Sequence, residues 1–339
     1  MTTPPIRATL FAITDRGRTR DHNEDTFLVA DLATREALRN SRREEHAISD
    51  RGMIFLVADG MGGAAAGELA SEMAAVEIHR QMVDGWTAAP LGTEETFATN
   101  LRRAVEAANG QLHGYASSHP EVRGMGTTAT VVGVWRDRIY LAQIGDSRAY
   151  LIRGSQARQL TRDQSLTQRL VEVGELTEEE AETSERRNII LQALGPDERV
   201  KVDLSWQMLQ RDDLLILCSD GLSSVVRRAD IAEVANSSGD VQDIGERLVA
   251  LANERGGPDN ITIVVVRFDG EGLPDQSADE PGYHEYPQAD ERPALQPTAA
   301  FPAATPPVVP PEERRGSPTT VALIGLGVLL ALIAVALLT

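Results

Sequence analysis

Four carboxylates stand beside apolar runs in distant parts of the chain. Asp59 follows residues 54–58, Asp146 follows 139–144, Asp220 follows 214–219, and Asp259 precedes 261–266. Buried strands that each end in a carboxylate gather negative charges into one small site. Such charges need a proton or a cation for compensation, and hard oxygen ligands favour magnesium or manganese over zinc or copper. The pattern therefore predicts a divalent-cation site.

Cysteine chemistry is not indicated. The only cysteine, Cys218, lies inside an apolar run, where a small core residue is expected rather than a nucleophile. A cysteine-based phosphatase loop would also need an arginine six positions later, and Ser224 stands there. A single thiol predicts a reducing compartment, most simply the cytoplasm.

The chain has 339 residues, enough for one large domain with appendages, and a formal net charge of −18. Binding to nucleic acid requires clustered Lys and Arg side chains to contact phosphates. The acidic balance therefore argues against a nucleic-acid partner.

The C-terminal residues predict a membrane anchor. Residues 321–339 are uncharged and mostly apolar, and Arg314 and Arg315 precede them. At ~1.5 Å per residue this stretch covers a bilayer core of ~30 Å. The positive-inside tendency places the upstream chain in the cytoplasm. We therefore assign residues 319–339 to a single-pass tail anchor in the cell membrane, with a buried core helix as the alternative.

Residues 271–318 have the composition of a spacer. They hold 11 of the 17 prolines, and residues 271–316 contain nine acidic and three basic side chains. Such a segment buries too little apolar surface to fold. We therefore predict a folded domain at 1–270, a disordered acidic linker at 271–318 and the anchor at 319–339.

Within residues 1–270 the patterns predict antiparallel sheets with helices on their outer faces, an α+β fold. Helices are expected at 63–82 and 93–117, where apolar residues recur at spacings of three and four, and at 241–254, which is followed by the stop signal Gly256-Gly257-Pro258. Residues 131–135, 139–144 and 149–152 are expected to form a three-stranded meander. Residues 35–51 are predicted to be a solvated loop. Residues 161–187 are predicted to form a small helical flap near the cation site, where such loops often set substrate choice.

Seven short motifs occur in one order along the chain. They are TDRG (14–17), RDHNED (20–25), DGMGG (59–63), GTTA (126–129), GDSR (145–148), SDG (219–221) and DN (259–260). In this order they resemble the protein phosphatase 2C family of metal-dependent serine/threonine phosphatases, in its bacterial form. The resemblance covers about residues 6–268 and implies that the folded domain at 1–270 is a metal-dependent phosphatase domain.

This resemblance implies an αββα sandwich of two antiparallel sheets, with two Mn²⁺ or Mg²⁺ ions at one end and a third, weak site at Asp146. The implied metal ligands are Glu24, Asp25, Asp59, the Gly60 carbonyl, Asp146, Asp220 and Asp259. Arg20 would bind the phosphate with its forked guanidinium, so that Arg20, Asp59 and Asp220 carry the catalysis. Asn260 would orient the Asp259 turn.

Three positions depart from the family pattern. Met61 stands where eukaryotic members have a histidine, and Ala64 and Gln164 stand where bacterial members often have one. The general acid is therefore left open, because neither Met61 nor Ala64 supplies an imidazole. Gln164 affects the expected handling of the substrate more than the binding of metal.

The function implied is hydrolysis of phosphoserine and phosphothreonine in proteins that a Ser/Thr protein kinase modifies, by water activated at a binuclear Mn/Mg site. One alternative is a catalytically silent relative that binds phosphoproteins or serves as a scaffold at the membrane. A second is a structural calcium-binding domain. The clustered carboxylates argue against the silent relative, because a binding module has no need for so many uncompensated charges.

Overall fold

The computed structural model describes residues 5–38, 41–177, 180–181, 184, 186, 189–277 and 279–287. Within them, two antiparallel sheets are formed. The first consists of β1 (Ile6–Asp15), β4 (Arg43–Ile48), β9 (Arg148–Arg153), β10 (Gln156–Gln159), β12 (Leu214–Cys218) and β13 (Ile261–Asp269). Its strands lie in the order β10-β9-β12-β13-β1-β4.

The second sheet consists of β2 (Asp25–Asp31), β3 (Ala37–Leu38), β5 (Met53–Met61), β7 (Ala129–Trp135), β8 (Arg138–Ile144) and β11 (Asp203–Met208). Its strands lie in the order β11-β8-β7-β5-β2-β3, and the short strand β6 (Gly126–Thr127) also pairs with β5. The predicted antiparallel sheets are thus confirmed.

The described α-helices are α1 (Ala64–Met82), α2 (Glu94–Ser118), α3 (Leu166–Glu172), α4 (Asp220–Ser223), α5 (Arg228–Ser237) and α6 (Val241–Glu254). A π-helical turn at Val83–Thr87 follows α1, and a 3-10 turn at Pro120–Val122 follows α2. Side chains cap two of the three predicted long helices at their first turns. Thr93 accepts a hydrogen bond from the backbone N–H of Thr96, and Asp240 accepts from Gln242 and Asp243. The helices predicted at 63–82, 93–117 and 241–254 are confirmed within one residue.

Alternating side chains divide the core into three layers of apolar contacts. Leu10, Phe55 and Leu217 point between the two sheets. Leu56 faces the other way and packs in a cluster with α1 and α2, while Val265 packs in a cluster with α5 and α6. Because each sheet buries both faces, helices must cover the outer ones. The result is the predicted αββα sandwich.

Two local predictions are wrong. Residues 35–51 are not simply a loop, because they contain β3 and β4, and β4 pairs along β1 at the edge of the first sheet. The expected meander breaks after its second strand. β7 and β8 pair, but β9 belongs to the other sheet, where it lies between β10 and β12. The turn at 145–147 therefore carries the chain from one sheet to the other.

The folded unit also continues beyond the predicted boundary at 270, to Pro287. Residues 279–287 lie along β11, where the backbone N–H of Tyr286 donates to the Leu204 carbonyl at 2.8 Å. Tyr283 donates its hydroxyl to Asp203 at 2.7 Å. Specific polar contacts hold this acidic segment, so composition alone did not predict its order.

Among the residues that the structure describes, no helix combines the length and the apolar composition needed to cross a bilayer. The predicted anchor at 319–339 and the linker from residue 288 onward lie outside those residues.

Candidate metal centre

The predicted acidic residues meet at one end of the sandwich because each lies where a strand begins or ends. Asp25 begins β2 and is paired in register with Asp59 near the end of β5. Asp220 begins α4 directly after β12. Asp146 lies in the turn between β8 and β9, and Asp259 lies just before β13. The two sheets therefore bring carboxylates from five separate segments to one place.

Burial and mutual repulsion both oppose ionisation of Asp59. Burial raises the pKa of Asp59 well above its ordinary value, and the charges of Asp25, Asp220, Asp146 and Asp259 raise it further. This set of interactions shows that all five carboxylates are electrostatic neighbours. A group in such surroundings retains its proton or takes up a compensating cation.

Asp25 and Asp220 show the same effect. Burial raises the pKa of Asp25 to about 8, although a 2.7 Å hydrogen bond from the Ser219 hydroxyl partly offsets the increase. Burial followed by the charge of Asp259 raises the pKa of Asp220, and a hydrogen bond with Asp59 opposes the increase. The hydrogen bond between Asp59 and Asp220 places their carboxyl groups next to each other.

Two carboxylate oxygens in this cluster have no hydrogen-bond donor among the described residues. They are Oδ1 of Asp146 and Oδ1 of Asp220, and both are buried. Burial, and then the charges of Asp220 and Asp163, raise the pKa of Asp146 to about 7. A buried acceptor without a donor is costly. These two oxygens are what a bound cation would satisfy.

Arg20 lies at the exposed edge of the cluster. Its Nη2 donates to Asp259 Oδ2 at 2.6 Å, and about half of its side chain is accessible to solvent. Burial raises the pKa of the neighbouring Glu24, whereas the positive charge of Arg20 lowers it. Arg20 is therefore fixed beside the carboxylates and still reaches open solvent.

Asn260 fixes the loop that carries Arg20 and Glu24. Its Oδ1 accepts from the Glu24 backbone N–H at 2.8 Å, while its Nδ2 donates to the carbonyls of Arg16 and His22 at 3.0 and 2.8 Å. The side chain is almost fully buried. The sequence predicted a role for Asn260 in orienting the Asp259 turn. In the structure its side chain binds the β1–β2 loop at three backbone groups.

Gly60 allows α1 to approach the cluster closely. A Cβ added at Gly60 would lie 2.1 Å from the Gly67 carbonyl oxygen of α1 and 2.6 Å from the Glu24 carbonyl oxygen. The Gly60 backbone N–H also donates to that Glu24 carbonyl at 3.2 Å. A glycine is thus required for the packing around Asp59, independently of any role for its own carbonyl.

Sequence reasoning missed two buried hydroxyl residues. The Ser219 hydroxyl donates to Asp25 and accepts from the Thr262 backbone N–H at 3.0 Å. The Thr128 hydroxyl accepts from the Asp59 backbone N–H at 2.9 Å. Both residues belong to motifs that were recognised, SDG and GTTA, so their position in those motifs was the available signal.

The described carboxylates are chemically suited to divalent cations. In the described part of the chain, however, no three Asp, Glu, His or Cys side chains are arranged so that they could hold a metal ion. Two of the carboxylates accept hydrogen bonds from protein side chains: Arg20 binds Asp259, and Ser219 binds Asp25. Hard oxygens, raised pKa values and acceptors without donors are the features that magnesium or manganese would compensate.

A cavity of about 480 Å³ adjoins this cluster and is lined by Asp146, Asp220 and part of the flap. The described part of the flap contains the predicted small helix, α3. Gln164 links the flap to the Asp146 turn, because its Oε1 accepts from the Gly145 backbone N–H at 3.0 Å and its own backbone N–H donates to the Gly145 carbonyl at 2.8 Å. Gln164, one of the three residues that depart from the family pattern, thus fixes the turn that contains Asp146.

Cys218 lies within β12 and is fully buried. Burial raises the pKa of its thiol to about 12. The thiol is therefore protonated at neutral pH, and the prediction of an inert core cysteine is confirmed.

Comparison with known proteins agrees with this geometry. Residues 40–261 match the family described as protein phosphatase 2C. The serine/threonine phosphatase stp of Listeria monocytogenes is 37% identical over 257 residues, which are 76% of this chain and 94% of the relative.

Two solved structures show the same fold. The Mycobacterium tuberculosis serine/threonine phosphatase PstP/Ppp superposes with a TM-score of 0.65 and 33% identity, covering 78% of this chain and 99% of the other. The catalytic domain of PstP in complex with two manganese ions gives a TM-score of 0.62 and 32% identity over the same shares of the two chains. This chain therefore belongs to the protein phosphatase 2C family of serine/threonine phosphatases.

Proposed function

We propose that this chain hydrolyses phosphoserine and phosphothreonine in proteins, with two Mn²⁺ or Mg²⁺ ions as cofactors. The observation that carries the proposal is the convergence of Asp25, Asp59, Asp146, Asp220 and Asp259, with two buried oxygens that lack donors among the described residues. Membership of a serine/threonine phosphatase family and the two manganese ions of the related PstP structure support it.

Asp59 is proposed as the central ligand, because the charges of all four other aspartates raise its pKa. Asp220 and Asp259 would complete one ion's ligands, Glu24, Asp25 and the Gly60 carbonyl would serve the second ion, and Asp146 would serve a third, weaker site. Divalent cations held there would neutralise the carboxylates, bind phosphate oxygens and activate water for attack on phosphorus.

The chain's own contribution to substrate binding is proposed to come from Arg20. Its guanidinium presents a planar set of donors that matches two phosphate oxygens. The hydrogen bond to Asp259 uses one Nη2 donor and orients the rest of the group beside the cluster. Asn260 holds the loop behind it and acts as a positioning residue.

Metal dependence tests this proposal directly. The full-length protein is expected to release phosphate from a phosphothreonine peptide with Mn²⁺ or Mg²⁺ and to lose at least about 100-fold of that rate in excess chelator, measured as inorganic phosphate over time. A folded, metal-binding protein that releases no phosphate under any of these conditions would favour the silent phosphoprotein-binding relative. Stabilisation by calcium alone would favour the structural calcium domain.

We also propose that residues 319–339 anchor the phosphatase to the cell membrane, that the residues before them form a spacer, and that the folded domain acts in the cytoplasm on targets of a Ser/Thr protein kinase. The uncharged apolar composition of 321–339 and the preceding Arg314 and Arg315 support the anchor. Deleting residues 319–339 should shift the protein from the membrane pellet to the supernatant after cell fractionation. Equal distribution of the full-length and shortened proteins would show that no anchor is present.

A further inference from the structure

The cavity beside the candidate metal centre is lined by residues of opposite charge. Asp146 and Asp220 line it, and so do Arg227 and Arg228. Arg227 precedes α5, and Arg228 is its first residue. A group whose phosphate reached the aspartates would therefore share a continuous cavity with these two arginines.

Both arginines are exposed, and neither forms an ion pair with the described residues. The nearest acidic side chain on the same helix is already occupied. Asp230 accepts from the Arg255 guanidinium at 2.6 Å and from the backbone N–H of Arg227 at 3.0 Å. The guanidinium groups of Arg227 and Arg228 are thus available to a ligand.

The other basic groups of the cavity are engaged. Arg148 binds Asp163 through two guanidinium nitrogens, at 2.9 and 2.7 Å to Oδ2. Arg162 lies over the ring of Tyr283, 3.9 Å from its centroid. The positive charge that remains for a ligand is therefore concentrated at Arg227 and Arg228.

This local charge is opposite in sign to the chain as a whole, which carries a formal net charge of −18. A pair of available arginines in a cavity of a strongly acidic protein attracts an anion locally. Guanidinium groups bind carboxylates and phosphates with charge-assisted hydrogen bonds.

We propose that Arg227 and Arg228 form a substrate subsite that binds a second anionic group near the phosphoresidue, either an acidic side chain or another phosphate. The inference rests on the proposed phosphatase function, which places the reacting phosphate beside Asp146 and Asp220 in this cavity. Preferred substrates are therefore acidic or multiply phosphorylated segments of proteins.

Matched phosphothreonine peptides test the subsite in the full-length protein with Mn²⁺. One peptide has neutral flanking residues, a second has Asp residues on both sides, and a third carries a second phosphothreonine nearby. The wild-type protein is compared with the double variant Arg227→Ala/Arg228→Ala and with Arg227→Lys/Arg228→Lys. A control, Arg103→Ala/Arg123→Ala, removes two exposed arginines that do not line the cavity.

The readout is the ratio of kcat/KM for each anionic peptide to that for the neutral peptide. In the alanine double variant we expect this ratio to fall about tenfold, because the variant lacks the charge-assisted hydrogen bonds of the two guanidinium groups. The lysine variant should retain part of the preference, and the control should retain all of it. The peptide whose ratio falls more identifies the anion, and added salt should reduce the wild-type preference.

Two results would overturn the subsite. One is a wild-type ratio near one for both anionic peptides, and the other is an unchanged ratio in the alanine double variant whose thermal unfolding matches that of the wild type. Failure of the phosphatase function looks different, because then even the neutral peptide would release no phosphate.

Discussion

Replacing Asp59 with asparagine is expected to remove phosphatase activity and, at the same time, to stabilise the metal-free protein. Activity should fall at least about 100-fold, because the central proposed ligand is lost. Stability should increase, because burial and the charges of Asp25 and Asp220 oppose ionisation of the Asp59 carboxyl. An amide at this position carries no charge and offers a donor to the adjacent Asp220 carboxylate.

At pH 8 the unfolded chain ionises Asp59 freely, whereas burial and the neighbouring charges oppose that ionisation in the folded protein, so the wild type carries a cost that the variant lacks. The Tm of the variant in chelator should therefore lie above that of the wild type. Phosphate release with Mn²⁺ and thermal unfolding in chelator measure the two effects. Asp50→Asn serves as the control, because Asp50 is exposed and lies away from the cluster.

The opposite signs of the two effects make the experiment specific. A purely structural aspartate would lower both activity and stability when replaced. Retention of activity in Asp59→Asn, or a Tm in chelator below that of the wild type, would contradict the proposed role. Manganese should also raise the Tm of the wild type more than that of the variant, because the variant lacks a ligand.

The parts of this site that were predictable from sequence are those set by local rules. A strand that ends in a carboxylate must deliver it to the rim of a sheet, which is why Asp59 and Asp220 were found. Helix positions followed from the spacing of apolar residues, and the structure shows that Thr93 and Asp240 cap the helices they precede. Arg20 and Asn260 needed the family motifs, because a single exposed arginine or a single asparagine carries no local pattern.

The parts that were not predictable depend on partners distant in sequence. The sequence of β4 is typical of a charged loop because β4 is an edge strand. It pairs with β1 on one side only, and its residues are alternately exposed. The order of residues 279–287 depends on single contacts such as Tyr283 with Asp203. Ser219 and Thr128 are small polar residues whose importance appears only when the carboxylate or backbone group they bind is known.

For the flap, the location was predicted correctly, but two other residues that line the same cavity were not predicted. Its position beside Asp146 and Asp220 was expected, and the cavity between them is present. Arg227 and Arg228 also line this cavity, and they follow the SDG motif by only a few residues. Nothing in the sequence indicated that they line the same cavity as the flap, because their position depends on how α4 and α5 turn after β12.

The metal-free protein is expected to lose stability as pH rises from about 4 to about 8. Burial raises the folded-state pKa of Asp146 to about 7 and that of Asp25 to about 8, from an ordinary value of 3.8. Well below that ordinary pKa both groups are protonated in the folded and unfolded states, so neither opposes folding. Above it, the unfolded chain releases protons that the folded protein retains, and ionisation favours unfolding.

The decrease continues until the pH passes the folded-state pKa values, and each group contributes up to a few kcal/mol. Divalent cations bind the ionised carboxylates, so Mn²⁺ should stabilise the protein much more at pH 8 than at pH 5. Thermal unfolding at pH 5, 6, 7 and 8, in chelator and in Mn²⁺, measures both trends. Asp146→Asn should flatten the chelator curve between pH 5 and 7, because it removes one of the titrating groups.

A chelator curve that is flat in the wild type, or identical in Asp146→Asn, would mean that these carboxylates do not oppose folding when they ionise. A Mn²⁺ effect of equal size at pH 5 and pH 8 would place the bound metal outside this cluster. The expected pattern instead links the low stability of the metal-free protein near neutral pH to the binding of cations by the site. The burial and mutual repulsion that destabilise the ionised, metal-free cluster near neutral pH are offset when a cation binds.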